Sequence, residues 1–287
     1  MQILDGNDSE VRIELIDSQK WQHYIENEIG FVLPLSQHRW MNNAINATAQ
    51  SNQLSVDELW ELVHQDSRLR QQLLDATLIL ESRFFRHLPS LEYVTELAKQ
   101  YQDNLANDDS GQPFRIWSVG CSRGQEAWSL AMMLQQQDIV QYEILGSDVS
   151  LQAIKTAQQA QYNAREKQSI APLYYDYLED VADDMATDDL QGDWQVTDTL
   201  RNKVSFKYHN VFTSTLPTPV KHHVVICQNM LIYFRQFDQR DILARLAAQC
   251  VLGGHLILAP GEALFWRHPK MKRLAHKQVN VWQKIAD

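Results

Sequence analysis

The stretch Ile116-Trp117-Ser118-Val119-Gly120-Cys121-Ser122-Arg123-Gly124-Gln125-Glu126 runs from an apolar strand through a Gly-x-Ser-x-Gly turn into a helix with an acidic first turn. A second apolar strand, 143–147, ends on Asp148. Strand, glycine turn, helix, strand and terminal acid make the first half of a nucleotide-binding α/β sheet. In such a sheet Gly120 and Gly124 let the main chain come close to a ligand. Asp148 would accept hydrogen bonds from two ribose hydroxyls. The ligand class this implies is an adenosine-containing cofactor.

The rest of the chain extends the pattern on both sides. Strands at 116–119, 142–146, 204–208, 223–227 and 253–258 alternate with helices at 126–135, 151–158 and 238–250, where Ile242, Leu243, Leu246 and Cys250 face inward. Residues 277–282 alternate apolar and polar, as a final antiparallel edge strand would. The fold class is α/β: a Rossmann-like domain with a mostly parallel sheet and an antiparallel last strand. Apolar residues at helical spacing over 40–85 predict a small all-helical domain before it. Ser55 and Glu58 form a capping-box pair there, and a longer linking helix follows. The domain reading is therefore a polar extension over 1–24, helical domain and linking helix over 25–97, and the α/β domain over 98–287. An inserted subdomain is expected at about 163–203, with Trp194-Gln195-Val196-Thr197 as a hairpin strand. Its acids Glu179, Asp180, Asp183, Asp184, Asp188 and Asp189 read as a solvated face rather than a metal site.

Composition narrows the function classes. A net charge of −10 over 287 residues argues against a general nucleic-acid binder. No apolar run approaches the roughly 20 residues of a membrane span, and no secretory signal is visible. The three cysteines, Cys121, Cys227 and Cys250, fit a reducing, cytoplasmic setting, and no Cys/His cluster has zinc spacing. A monomer without metal is expected.

Each motif also has a plainer reading. The Gly-x-Ser-x-Gly turn could be a nucleophile elbow presenting Ser122, as in a hydrolase, but such an elbow needs several preceding strands and an oxyanion loop. The residues before 115 instead look helical. Asp148 could cap the next helix, although Ser150 can serve there and leave Asp148 for the cofactor. Glu126 could simply answer the helix dipole. Ser82-Arg83-Phe84-Phe85-Arg86 could be a packed Phe pair with solvated arginines at the end of the linking helix. Tyr233 could be a core tyrosine.

Four ordered blocks carry a family resemblance. They are Glu81-Ser82-x-Phe84-Phe85-Arg86, Gly120-Cys121-Ser122-x-Gly124-x-Glu126-x-x-Ser129, Gly146-Ser147-Asp148 and Cys227-x-Asn229-x-Leu231-Ile232-Tyr233-Phe234. With these blocks, over about 31–282, the chain resembles the CheR-type chemoreceptor glutamate methyltransferases. The resemblance implies a class I methyltransferase domain that binds S-adenosylmethionine and releases S-adenosylhomocysteine. It implies methyl transfer to glutamate side chains in the cytoplasmic domain of methyl-accepting chemoreceptors, in a flagellar or pilus-linked system.

By the same resemblance, Glu126 contacts the cofactor's amino group or sugar, and Asp148 the ribose. Ser82 and Arg86 lie beside the cofactor and the methyl-transfer point. Asn210-Val211 and Gln228-Asn229 line the adenosyl pocket, with Gly120, Ser122 and Gly124 as the turn beneath it. Arg86 and Tyr233 are the catalytic candidates. The helical domain would engage the receptor, and the inserted subdomain resembles one that docks a receptor's C-terminal tail. Three positions depart from the family: Gln228 replaces an arginine, Ser82 a threonine and Gln125 a glutamate. The Gln228 departure leaves open a second reading, a cofactor-binding regulatory module without transferase activity.

Overall fold

The computed structural model describes residues 8–105, 111–181 and 192–287. The acids Asp183, Asp184, Asp188 and Asp189 lie outside the described residues. The chain divides into two compact units. One takes in the described residues up to Ile79 together with Tyr233–Asp238; the other takes in Leu80–Ile232 and Gln239–Asp287.

The first unit is built of α1 (Asp8–Ile29), α2 (His38–Ser51), α3 (Val56–Val63) and α4 (Ser67–Thr77). Trp21, Ile25, Met41, Ile45, Leu59, Val63, Leu69 and Leu73 recur at helical spacing and form its core. Ser55 and Glu58 close the capping box at the start of α3, and Asp66 caps α4 by accepting the N–H groups of Arg68 and Leu69. Two features differ from the sequence reading. The stretch read as a polar extension is helical from Asp8, and Trp21 and Tyr24 are buried with Ile25 and Ile29, at the three- and four-residue spacing of one helix face. The linking helix stops at Thr77: Leu78 is extended at ψ 145°, and Phe85 has a left-handed φ of 53°.

The second unit runs α5 (Leu88–Leu105), β1 (Phe114–Val119), α6 (Gln125–Gln136), β2 (Tyr142–Asp148), α7 (Leu151–Gln159), β3 (Gln161–Tyr162), α8 (Ala164–Lys167), β4 (Leu178–Asp180), β5 (Trp194–Val196), α9 (Asp198–Arg201), β6 (Val204–Tyr208), β7 (His222–Cys227), α10 (Gln236–Ala248), β8 (Cys250–Leu258), β9 (Met271–Arg273) and β10 (Asn280–Lys284). The first three residues of α10 group with the helical unit. The main sheet has the order β6-β2-β1-β7-β8-β10-β9. Strands β6, β2, β1, β7 and β8 are parallel, whereas β10 is antiparallel to both its neighbours. β3, β5 and β4 form a separate antiparallel sheet with β5 in the middle.

Two strand-level expectations are corrected. The last strand is not the edge; β9 lies outside it, a three-residue strand with two cations whose pattern is too short to read and which suits an exposed edge. Cys250 opens β8 rather than ending the helix, since α10 stops at Ala248. Close packing fixes the β2 centre: a Cβ on Gly146 would come within 2.5 Å of the Phe206 ring, so only glycine fits beneath that ring.

Candidate active site at the carboxyl edge of the sheet

The parallel register brings five strand ends to one level. Val119 lies opposite both Ser147 and Cys227, Cys227 opposite Leu258, and Asp148 opposite Tyr208. β2 flanks β1 on one side and β7 on the other, so the strand order reverses there. Open α/β sheets bind ligands at such a switch point, outside the carboxyl ends. Nearly all the residues singled out in the sequence follow one of these ends.

The turn after β1 is made by left-handed residues: Gly120 at φ 66°, Ser122 at 51° and Gly124 at 88°. For Ser122 this conformation is uncommon and must be held by its surroundings. Two bonds hold it. Its N–H donates to Asp148 Oδ2 at 2.8 Å, and its hydroxyl donates to the Leu80 carbonyl at 3.3 Å. Asp148 Oδ1 accepts the Ser150 N–H at 2.9 Å, while Ser150 Oγ caps α7 through Ala153. Asp148 thus ties the glycine turn to the end of β2, and Ser150 is the helix cap. The Ser122 hydroxyl is spent on a backbone carbonyl, which removes the motivation for a nucleophile elbow.

Glu126 lies in the first turn of α6, where the helix dipole favours an anion. Its Oε1 accepts the Ser118 hydroxyl at 2.7 Å. Burial raises its pKa to about 7; the Ser118 hydrogen bond and the Arg86 charge oppose the rise, and Glu262 adds to it. A carboxyl group so placed gains most from a cation. Gln125, beside it, donates to Glu166 Oε1 at 3.0 Å, and Arg123 pairs with the same oxygen at 3.0 Å. A glutamate at 125 would face Glu166 with like charge.

The segment 80–87 reaches the turn through main-chain bonds. Phe85 N–H donates to Ser129 Oγ at 3.0 Å, and Ser129 Oγ donates to the Gln125 carbonyl at 2.6 Å. Phe84 packs against Tyr162 and Trp194, and Phe85 stacks on Tyr174 at 4.7 Å. The aromatic pair therefore anchors the segment. Arg86 is exposed, donates to the Glu81 carbonyl at 2.9 Å and places positive charge near Glu126. Ser82 is half-buried two residues after Leu80.

Asn210 and Val211 follow β6; Asn210 Oδ1 accepts the Phe212 N–H at 3.0 Å, and Val211 is buried. Gln228 and Asn229 follow β7. The Gln228 amide nitrogen is taken by Ser90 Oγ at 2.9 Å and by the Leu258 carbonyl at 3.4 Å, so it is engaged within the sheet end and helix α5. Asn229 is left-handed at φ 58°. Glu262, which sequence reasoning passed over, accepts the Asn229 N–H. Its signal was a carboxylate just past the carboxyl end of β8, the same test that drew attention to Gln228. Tyr233 groups with the helical unit: its carbonyl accepts the Val32 N–H at 2.8 Å and its ring lies 4.6 Å from Phe31.

Among the described residues no cluster of His, Cys, Asp or Glu is arranged to hold a metal, and no helix is long and apolar enough to cross a membrane.

The sequence profile described as "CheR methyltransferase, SAM binding domain" matches residues 80–281. The chain belongs to the CheR methyltransferase family. Its cofactor is S-adenosylmethionine, and it is an S-adenosylmethionine-dependent methyltransferase. Among CheR relatives it is similar to chemotaxis protein methyltransferase 1 of Pseudomonas aeruginosa, at 28% identity over 86% of this chain and 90% of that protein. It is likewise similar to chemotaxis protein methyltransferase Cher2 of Pseudomonas putida, at 26% identity over 87% of this chain and 90% of that protein. A third relative is the probable biofilm formation methyltransferase WspC of Pseudomonas putida, 24% identical over 94% of this chain and 61% of that protein. The CheR match begins at Leu80, where the second unit begins.

The site fits an adenosyl sulfonium donor on its own chemistry. The left-handed turn needs its glycine where it packs against Met230: a Cβ on Gly120 would come within 2.9 Å of Met230 Sδ. Asp148 stands at the ribose position of such sheets, and Glu126 is a carboxylate that a cation would stabilise.

Proposed function

We propose that the chain transfers a methyl group from S-adenosylmethionine to glutamate side chains in the cytoplasmic domains of chemoreceptors, forming methyl esters. The observation carrying this reading is Asp148 bound to the glycine turn through the Ser122 N–H, with Glu126 buried in the helix turn that follows and bound to Ser118, in a family whose relatives are named chemotaxis protein methyltransferases. The bound donor supplies an electrophilic methyl group on a positively charged sulfur. Asp148 holds the ribose hydroxyls, and Glu126 balances the donor's positive charge. The turn Gly120, Ser122, Gly124 supports the donor, with Asn210 and Val211 beside the adenosine. Asn229 and the oxygen or main chain of Gln228 complete that wall, since the Gln228 amide nitrogen is engaged by Ser90 and Leu258.

A glutamate carboxylate is ionised at neutral pH, with an ordinary pKa of about 4.3, so the chain need not remove a proton from it. The chain's contribution is alignment. Arg86, with Ser82 beside it, orients the incoming carboxylate through charge-assisted hydrogen bonds. Tyr233 remains a catalytic candidate on the family resemblance alone. The three-stranded sheet β3-β5-β4 is the assigned contact for a receptor's C-terminal tail.

Incubation with receptor cytoplasmic fragments and methyl-labelled donor tests the reading. Base-labile label on the receptor is the expected result, and Arg86→Ala should lower turnover about 100-fold while binding S-adenosylhomocysteine within a few fold. Unlabelled receptors from protein that binds the donor would favour the regulatory module.

A further inference from the structure

Glu262 stands outside every motif discussed so far. It follows β8 at the carboxyl edge and is only 7% exposed. Its Oε2 accepts the N–H of Ala259 at 3.0 Å and of Asn229 at 3.3 Å, and the N–H groups of Leu231 and Ile232 also face its carboxylate. Asn229 is left-handed, a conformation that persists in a residue with a side chain only where neighbours enforce it. Glu262 is the neighbour that takes its N–H. The main chain that turns away from β7 beside Gln228 is therefore set by a carboxylate on the next strand end.

The charge of Glu262 has a second consequence. Burial raises its own pKa, the backbone N–H groups around it oppose the rise, and its negative charge disfavours ionisation of Glu126 and of the Cys227 thiol. Two partly desolvated carboxylates thus share one end of the sheet, with Arg86 as the nearby cation. Like charges in such surroundings are relieved by a cation placed in their field.

We infer that Glu262 is a positioning residue that fixes the Asn229 turn and, with Glu126, sets a negative potential favouring the sulfonium donor over its uncharged thioether product. The inference rests on the reading that this site holds S-adenosylmethionine. Donor and product share adenosine, ribose, ammonium and carboxylate groups, so the ratio of their affinities isolates the sulfonium charge.

Calorimetric titration of donor and product into wild type and Glu262→Gln at pH 8 tests this. Glutamine keeps the shape and one oxygen for the Ala259 and Asn229 N–H groups but removes the charge. The donor should weaken roughly five- to tenfold and the product less than about twofold. Equal weakening of both, or no change in either, would overturn the inference. Glu262→Asp keeps the charge on a shorter arm; it should weaken both ligands together and leave the ratio intact, and a collapsed ratio there also counts against the inference. Wild type that binds neither ligand overturns the parent reading, a result distinguishable from any change confined to the variants.

Discussion

Asp148 Oδ2 accepts the Ser122 N–H at 2.8 Å across the gap between two parallel strand ends, and its other oxygen accepts the Ser150 N–H at 2.9 Å. One carboxylate therefore organises both the glycine turn and the start of α7. Because the two N–H groups go to different oxygens, asparagine can satisfy only one and would turn an amide N–H₂ toward the other. Asp148→Asn should lower stability by about 2 kcal/mol, read as a fall in the urea midpoint, with faster hydrogen exchange at the Ser122 amide. An unchanged midpoint would remove Asp148 from the turn's support.

Cofactor affinity should depend on pH through Glu126. Its pKa stands at about 7 without ligand, and a cationic ligand favours the ionised form. Affinity for the sulfonium donor S-adenosylmethionine, a net cation, should be full above pH 8. It should then fall up to about tenfold per pH unit below 7. Titration calorimetry across pH 5.5–8.5 reads this, and Glu126→Gln should flatten the profile at low affinity.

The same group gives the ligand-free protein an unusual stability slope. Its folded pKa lies above the unfolded value of about 4.3, so between these values the native state binds more protons than the unfolded state. Stability from this group therefore falls as pH rises through that window. At pH 8, Glu126→Gln should stabilise the ligand-free protein by about 2 kcal/mol, reduced from the full shift because the carboxylate is only half-buried. A melting comparison at pH 5 and pH 8 checks the sign: the gain should shrink at pH 5.

Gly146→Ala tests the packing beneath the site. The added Cβ would meet Phe206 at 2.5 Å, between strands whose backbone cannot part easily. A loss of about 1–3 kcal/mol in chemical denaturation is expected. Phe206→Leu should restore part of it, since the ring is the obstacle.

Much of this arrangement was legible because it depends on local chemistry. The strand-turn-helix run from Ile116, the carboxylate ending β2 and the polar pair ending β7 all announce the carboxyl edge in a few residues each. What escaped depends on contacts distant in sequence. The left-handed break at Phe85 exists because Ser129, 44 residues on, takes its N–H. Apolar spacing through Leu78 and Leu80 therefore suggested a helix that does not form. β9 is too short and too cationic to show strand alternation. Glu262 was passed over because only the fold sets it beside Asn229.

The central claim is that the turn, Asp148 and Glu126 hold the methyl donor. Its most direct test is equilibrium titration of S-adenosylhomocysteine into the wild-type protein at pH 8, with Asp148→Ala as the comparison. A single saturable site in the wild type, weakened at least about 100-fold in the variant, is the predicted result. Absence of binding in the wild type, or equal affinity in both proteins, would contradict it.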